Sequence, residues 1–279
     1  MRRTKFDLAG KVVVITGGTS GIGAATAGEM LRRGAQVAVI DIAPDTTDLV
    51  TKRHPFAAFG VVADVTDRDQ LAAAVQNIID RFGRIDVVIA NAGVLARTGT
   101  LRNTPPGNVD TLLAVNVIGV MNTVRAVLPQ LIENRGQVVL LSSVFAFFNG
   151  MGTIPYAMSK AAVEQLGRGL TVELAMHGVG VTTAYFSLID TPMIQKGFDA
   201  DRAADDVMKA LPRPLLKRLQ PSDAANAIVD AVQSRATRVM RPARWLPLSL
   251  ARGVISPVLD SYLAKNTRLR ALLTTLDTR

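Results

Sequence analysis

Short apolar runs alternate with segments of helical periodicity from residue 11 to about residue 185. The runs are rich in Val and Ile and show little polar alternation, as expected of strands that are buried on both faces. Alternation of such strands with helices is typical of a parallel sheet covered by helices. The predicted strands are Lys11–Thr16, Gln36–Asp41, Ala58–Ala63, Ile85–Ala90, Gln137–Ser142 and Gly178–Tyr185.

Helical segments lie between these strands, and Gly34, Gly83 and Gly178 stand where three of them should end. The pattern predicts an α/β protein with a doubly wound parallel sheet, built as a single domain with a C-terminal helical extension. The helices are predicted at residues 21–34, 67–83, 109–134 and 156–177, with a further helix from Pro221 to about Ser234.

The chain contains no cysteine and only two histidines, His54 and His177. The lack of cysteine excludes a disulfide framework, an iron–sulfur cluster and a cysteine nucleophile. Two isolated histidines argue against a multi-histidine metal centre or a Ser-His-Asp hydrolase, and no metal site is predicted. The chemistry is therefore expected to use Tyr, Ser, Lys or Asp, or a borrowed cofactor.

The net charge of +9 is concentrated near the C-terminus. Residues 235–279 contain nine Arg or Lys against Asp260 and Asp277, whereas the rest of the chain is close to neutral. No nucleic-acid-binding motif accompanies the charge, so nucleic acid is not predicted as a partner.

Residues 239–279 combine these cations with Trp245 and with Leu, Val and Ile at helical spacing. Such a basic amphipathic extension suits peripheral contact with an anionic membrane. The alternative is a helix pair that packs on the body or on a partner subunit. Pro242, Pro247 and Pro257 favour packing, because they interrupt any long continuous helix. No secretory signal or spanning run is seen, so a cytoplasmic protein is expected, with contact at the inner membrane surface as the alternative.

A glycine-rich loop, TGGTSGIG, runs from Thr16 to Gly23 between the first predicted strand and helix. Gly17 permits the tight turn, Gly21 allows close approach of a phosphate, and Gly23 allows close packing of the helix. The helix N-terminus then presents free amide groups to a pyrophosphate. Strand, loop and helix in this order predict a dinucleotide-binding Rossmann fold, which we assign to residues 1–238.

Asp41 ends the second predicted strand, 18 residues after Gly23. A carboxylate at this place accepts hydrogen bonds from ribose hydroxyl groups and repels the additional phosphate of NADP. The neighbouring Ile42 and Ala43 offer no cation to bind that phosphate. NAD is therefore predicted as the cofactor in preference to NADP.

Over about residues 8–234 the chain resembles the short-chain dehydrogenase/reductase family. The resemblance rests on Asp64-Val65, Asn91-Ala92-Gly93, Asn116, Ser143, Tyr156 and Lys160, each following a strand or lying in a helix as in the family. It implies hydride transfer between a nicotinamide and a secondary alcohol or ketone, in a homodimer or homotetramer paired through two long helices. The residues it implies for cofactor binding are Gly17, Thr19, Ser20, Gly21, Ile22, Gly23, Asp41, Asp64, Val65, Asn91, Ala92, Gly93, Tyr156, Lys160, Ile189 and Thr191.

Tyr156 and Lys160 are four residues apart in a predicted helix and therefore share one face. A cation stabilises a phenolate, so Lys160 is expected to lower the pKa of Tyr156. Tyr156 would then take a proton from an alcohol or give one to a ketone. Ser143 is expected to hold the substrate oxygen. By resemblance, Asn116 would hold a water that links Lys160 to solvent.

The loops after the strands supply mostly apolar residues, which predicts a lipophilic substrate such as a sterol, a retinoid or a long-chain compound. The predicted substrate pocket consists of Val94, Phe145, Phe148, Met151, Phe186 and Met193. In the alternative, several of the aromatic residues pack beneath residues 187–220, an irregular segment predicted to form a substrate lid.

The chain departs from the family pattern at Phe186-Ser187, where Pro-Gly is usual. This departure favours an alternative function, a non-catalytic nucleotide-binding regulator of the same fold. The complete set of Asn116, Ser143, Tyr156 and Lys160 favours the enzyme.

Overall fold

A seven-stranded parallel sheet forms the centre of the computed structural model, which describes residues 5–51, 56–199, 201–209 and 217–278. The strands lie in the order β3-β2-β1-β4-β5-β6-β7, and every neighbouring pair is parallel. Their bounds are β1 Val12–Thr16, β2 Gln36–Asp41, β3 Ala58–Val62, β4 Val87–Ala90, β5 Gln137–Ser143, β6 Gly180–Phe186 and β7 Arg238–Arg241. The first six follow the predicted apolar runs, and the doubly wound α/β fold is confirmed.

The helices cover both faces of the sheet. Four of the five predicted helices are found with small changes at their ends, and the one predicted at 109–134 is interrupted. The bounds of the helices are α1 Gly21–Arg32, α2 Thr46–Thr51, α3 Arg68–Phe82, α4 Pro106–Leu113, α5 Val120–Glu133, α6 Ile154–Glu173, α7 Pro192–Ile194, α8 Arg202–Lys209, α9 Pro221–Ser234, α10 Leu246–Leu250, α11 Arg252–Lys265 and α12 Thr267–Asp277. His54, together with residues 200 and 210–216 of the predicted lid, lies outside the described residues.

The ends of α3 show how the local sequence sets an element boundary. The Asp67 carboxylate accepts hydrogen bonds from the backbone N–H groups of Asp69 and Gln70, which have no partner within the helix. At the other end Gly83 has a φ of 78°, a left-handed conformation that glycine adopts at little cost. Both residues were predicted to bound this helix.

The predicted helix at 109–134 is not continuous. It begins at Pro106 and contains a π-helical segment, Ala114–Gly119, between α4 and α5. Such a widened turn is rare and is often found at functional sites. Asn116, whose side-chain hydrogen bonds are described below, lies in this segment.

The span Pro106–Glu133 is long and apolar enough to cross a membrane by length and composition, with a mean hydropathy of 1.6. It is the one such helix among the described residues. Val120, Val124, Val127 and Leu131 of this span belong to the hydrophobic core between the sheet and its helices. The apolar composition is therefore explained by packing against the sheet.

β7 was not predicted. It makes residues 238–241 an edge strand of the sheet, so the predicted domain boundary at residue 238 falls at the start of this strand. Its four residues pair with β6, in register from Thr183 with Arg238 to Phe186 with Arg241. The predicted extension from residue 239 therefore begins within an edge strand, and the helices α10 to α12 follow it.

Two hydrophobic clusters hold these last helices on the body. In the first, Trp245 and Met240 pack with Phe147 and Phe148 after β5. In the second, Leu269 and Leu276 of α12 pack with Val207 of α8. The C-terminal segment thus lies against the loops at the carboxyl ends of the strands, which is the ligand-binding side of an open α/β sheet.

Candidate active site

A cavity of about 480 Å³ lies along the carboxyl ends of the strands, where the strand order reverses between β1 and β4. One end is formed by Asp41, Asp64 and Val65, and the other by Ser143, Tyr156 and Lys160. The glycine loop crosses the space between them. Of the sixteen residues predicted to bind the cofactor, all except Gly23 line this cavity.

The glycine loop is held by close backbone packing. Gly17 has a φ of 65°. A Cβ at Gly23 would lie 2.2 Å from the carbonyl oxygen of Gly17, so only glycine fits there. The Asn91 side chain donates hydrogen bonds to the carbonyl oxygens of Thr16 (3.0 Å) and Gly17 (2.8 Å). Gly23 and Asn91 therefore fix the shape of the loop.

The loop and the start of α1 fit a pyrophosphate. Gly21 has a φ of 53°, and a Cβ there would come within 3.1 Å of the Thr191 side chain across the cleft. Ser20 precedes α1 without capping it through its side chain, and the first turn contains no acidic residue. Amide groups at such a helix N-terminus attract anions.

Asp41 is anchored by the glycine loop. Its Oδ2 atom accepts hydrogen bonds from the Thr19 backbone N–H (3.0 Å) and from the Thr19 hydroxyl (2.6 Å). The Ala43 backbone N–H donates to Oδ1 over 3.3 Å. The carboxylate is therefore held rigidly at the rim of the cavity. Among the described residues that line the cavity, the only Lys or Arg is Lys160, at the opposite end.

Ser143, Tyr156 and Lys160 converge at the other end of the cavity. Ser143 ends β5, and its hydroxyl is hydrogen-bonded to the side chain of Tyr156. Tyr156 and Lys160 lie one turn apart in α6, with the Lys160 Nζ atom 5.5 Å from the centre of the tyrosine ring. Lys160 is buried, and its Nζ atom donates a hydrogen bond to the Leu141 carbonyl oxygen over 2.9 Å.

Burial controls the protonation of both groups. It raises the pKa of Tyr156 to about 12, and the hydrogen bond with Ser143 opposes this only in part. Burial also lowers the pKa of Lys160 to about 8. The structure therefore does not show the expected lowering of the Tyr156 pKa by Lys160. Near neutral pH the phenol holds its proton and is ready to donate it.

Asn116 is fully buried within the π-helical segment. Its Oδ1 atom accepts from the Val94 backbone N–H (2.8 Å), and its Nδ2 atom donates to the Val94 carbonyl (2.9 Å) and to the Ser159 hydroxyl (3.2 Å). A Cβ at Gly93 would lie 3.2 Å from Asn116 Oδ1 and 3.8 Å from Lys160 Nζ. Gly93 thus keeps the space between these two side chains open.

Phe186-Ser187 is accommodated as a continuation of β6. The Phe186 carbonyl accepts a hydrogen bond from the Ser143 hydroxyl (3.2 Å), and the Ser187 backbone N–H donates to Arg241 of β7 (3.1 Å). Phe186 is buried and lines the cavity beside Ile189 and Thr191. The departure from the family pattern therefore leaves the strand end intact and makes this wall of the cavity apolar.

The six predicted pocket residues divide into two groups. Val94, Phe186 and Met193 line the cavity. Phe145, Phe148 and Met151 do not line it: they belong to the hydrophobic cluster around Trp245. The alternative was packing beneath residues 187–220. Met151 also packs with Val207 of that segment, whereas Phe145 and Phe148 pack in the cluster of Trp245, and Phe145 meets the Tyr156 ring edge-on at 5.9 Å.

Thr111 and Val115 line the cavity and were not predicted. They lie four residues apart, and Val115 directly precedes Asn116 in the sequence. Their spacing on one face of the helix that carries Asn116 is the signal that would have identified them.

Comparisons with known proteins identify the family of this chain. A family model described as short chain dehydrogenase matches residues 11–202. The chain is 34% identical over 210 residues to 2-(R)-hydroxypropyl-CoM dehydrogenase of Xanthobacter autotrophicus, covering 73% of this chain and 84% of that protein. It is 32% identical over 278 residues to probable oxidoreductase EphD of Mycobacterium tuberculosis, covering 94% of this chain and 45% of that protein.

Among solved structures, the chain is similar to levodione reductase, with a TM-score of 0.77 and 27% identity over 85% of this chain and 98% of that one. The matched family model covers the glycine loop, Ser143, Tyr156 and Lys160. The chain belongs to the short-chain dehydrogenase/reductase family, whose members are oxidoreductases that bind a nicotinamide cofactor and act on alcohol or ketone groups.

Proposed function

We propose that this protein is an NAD-dependent enzyme that interconverts a lipophilic secondary alcohol and its ketone. The observation that carries the proposal is a single cavity with Ser143, Tyr156 and Lys160 at one end and the glycine loop with Asp41 at the other. The bound nicotinamide would accept or supply the hydride. Tyr156 would move the proton, Ser143 would orient the substrate oxygen, and Lys160 would stabilise the phenolate.

Asn116 supports this arrangement as a positioning residue. Its two hydrogen bonds to the Val94 backbone fix the chain that follows Gly93 beside the cavity. The open space left by Gly93 between Asn116 and Lys160 suits a water that would link Lys160 to solvent. This arrangement supports a role for all four residues of the predicted catalytic set.

The preference for NAD rests on the charge at the adenosine end. The Asp41 carboxylate is fixed by Thr19 and faces the cavity, where it would accept hydrogen bonds from a ribose and repel a phosphate. Asp64 adds a second carboxylate at the same end. The described lining residues supply no cation there to offset this charge.

Asp41→Asn is expected to relax the discrimination against NADPH. The amide keeps an oxygen that can accept from Thr19 but carries no charge, so the repulsion of the additional phosphate is lost. Removing one unfavourable charge pair should tighten NADPH binding about tenfold relative to NADH. Calorimetric titration with both cofactors measures the ratio, with exposed Asp45→Asn as the matched control. An unchanged ratio of NADPH to NADH affinity in Asp41→Asn would show that another residue determines the preference between the two cofactors.

The lipophilic substrate class is inferred from the wall of the cavity near Tyr156. Val94, Phe186, Met193 and Ile194 surround this end, and Lys160 is the only charged side chain among the described lining residues there. An apolar wall with a few convergent polar groups favours a ligand with one reacting oxygen and an apolar body.

The test is NADH formation with secondary alcohols of increasing chain length, each paired with an equally long alcohol that ends in a carboxylate. The proposal predicts that kcat/KM rises with chain length in the uncharged series and stays low in the charged series. Faster turnover of the charged series would overturn the lipophilic class while leaving the dehydrogenase activity in place.

Exposed apolar side chains on the two long helices support a homodimer or homotetramer. Ile118 lies in the π-helical segment, and Met158 and Val172 lie on α6; all three are exposed. Helix faces of this kind are ordinarily covered by another subunit. We propose that these helices pair between copies of the chain.

A further inference from the structure

The outer face of α10 and α11 carries a stripe of large apolar side chains. Leu250, Val254, Val258 and Tyr262 follow one another at intervals of four residues and are between 65% and 75% exposed. Val254, Val258 and Tyr262 have the spacing of residues on one side of α11, and Leu250 ends the preceding α10. We call these four residues the outer stripe. A contiguous exposed apolar surface of this kind indicates an interaction site.

The opposite side of α11 accounts for its packing on the body. Leu259 and Leu263 pack against the cluster that contains Trp245, and Arg252 forms an ion pair with Glu164 over 2.8 Å. The helix is therefore held by its inner side alone. The side chains of the outer stripe are mostly exposed, so they are free to contact a partner.

α11, which carries three of the four stripe residues, and the following α12 together have a net positive charge. Lys265, Arg268 and Arg270 are exposed, and the structure gives their side chains no acidic partner among the described residues. Of the two acidic residues of the segment, Asp277 has a cationic partner and Asp260 a neutral one, so the three cations stand against the single charge of Asp260. Asn149 donates a hydrogen bond to Asp260 (2.8 Å), and Arg102 forms an ion pair with Asp277 (2.9 Å).

An apolar stripe with a cationic border is complementary to an anionic lipid surface. Apolar side chains enter the boundary between headgroups and acyl chains, while Lys and Arg contact the negative headgroups. A second copy of the chain is a poorer occupant, because pairing two such faces would bring their uncompensated cations together. We propose that the outer stripe docks this protein on an anionic bilayer.

The position of the outer stripe relates docking on a bilayer to the proposed enzyme activity. α11 and α12 lie over the loops after β5 and against α8 of the lid segment. A bilayer at this face would lie on the side of the molecule that carries the carboxyl ends of the strands, where the cavity also lies. This consequence rests on the proposed lipophilic substrate, whereas docking itself depends only on the surface.

Cosedimentation with vesicles tests the proposal. The full-length protein is expected to sediment with vesicles of equal parts phosphatidylglycerol and phosphatidylcholine, to bind pure phosphatidylcholine weakly, and to dissociate as salt is added. Val254→Asp/Val258→Asp and Lys265→Gln/Arg268→Gln/Arg270→Gln should each lower the bound fraction severalfold. Leu49→Asp/Phe56→Asp, which alters exposed apolar residues elsewhere, is the matched control and should bind like the wild type.

All of these substitutions are at exposed positions, so the variants are expected to keep the circular dichroism spectrum of the wild type. Binding by both tail variants at the wild-type level, or no binding of the wild type to anionic vesicles, would overturn the proposal. Loss of a dimer in Val254→Asp/Val258→Asp without lipid would also overturn it, because a second copy would then be the occupant. These results do not depend on turnover, so they are independent of the proposed activity.

Discussion

Tyr156→Phe is expected to lower turnover by about 10²- to 10⁴-fold while leaving the affinity for NAD nearly unchanged. The substitution removes only the phenolic hydroxyl, and the ring keeps its edge-on contact with Phe145. Without the hydroxyl, no group at this position can transfer the proton to or from the substrate oxygen. NADH absorbance measures turnover, and calorimetry measures cofactor binding.

Tyr185→Phe is the matched control for this experiment. Tyr185 is also buried, and burial raises its pKa to about 12, but it does not line the cavity. The control should retain most of the activity. Wild-type turnover in Tyr156→Phe would refute its role as the acid/base. Loss of NAD binding together with turnover would instead indicate a structural effect.

Trp245→Ala is expected to reduce the free energy of unfolding by about 3 to 5 kcal/mol. Trp245 is 4% exposed, and its ring lies 5.9 Å from that of Phe148 and 6.4 Å from that of Phe147. Removing the indole leaves a cavity between the body and the C-terminal helices that the surrounding strand and loop cannot fill. Urea unfolding, followed by circular dichroism, measures the change.

Trp245→Phe separates ring packing from hydrogen bonding. The indole Nε1 atom is buried without a hydrogen-bond partner in the described part of the chain, so this variant loses volume but no hydrogen bond. It should be clearly more stable than Trp245→Ala. A wild-type midpoint for Trp245→Ala would show that the C-terminal helices contribute little to the stability of the body.

Deletion of residues 239–279 would not test membrane docking. The deletion removes nearly all of β7. It also removes Trp245, Leu269 and Leu276, whose side chains are buried. The remaining chain is expected to lose its fold along with any affinity for lipid. Substitutions on the outer stripe avoid this ambiguity because they leave the inner side of α11 untouched.

The sequence predicted the elements whose signals are local. Strands buried on both faces read as runs of Val and Ile, and a cap such as Asp67 or Gly83 marks a helix end. The spacing of Tyr156 and Lys160 was sufficient to place both side chains at one site. These features depend on neighbouring residues, so no knowledge of the tertiary structure was needed.

The features that were missed depend on contacts between distant segments. β7 has only four residues, and it becomes a strand because β6 offers an edge for pairing. Phe148 follows β5 at the expected place, but its side chain turns to Trp245, almost a hundred residues further along the chain. Asn116 in the π-helical segment bonds to Val94 and Ser159, neither of which is in the same helix.

The protonation state of Tyr156 also could not be predicted from the sequence. Spacing places Lys160 beside the ring, but the pKa depends on how far each group is removed from water. Burial acts on both, raising one pKa and lowering the other, so a cation nearby does not by itself produce a phenolate.

The place of β7 at the edge of the sheet has a consequence for synthesis on the ribosome. All other strands are made before it, so β6 remains the edge of the growing sheet until residues 238–241 emerge. During this interval the unpaired backbone of an otherwise buried strand can pair with a neighbouring nascent chain. A chain that ended before Arg238 would therefore keep β6 as an unpaired edge of its sheet.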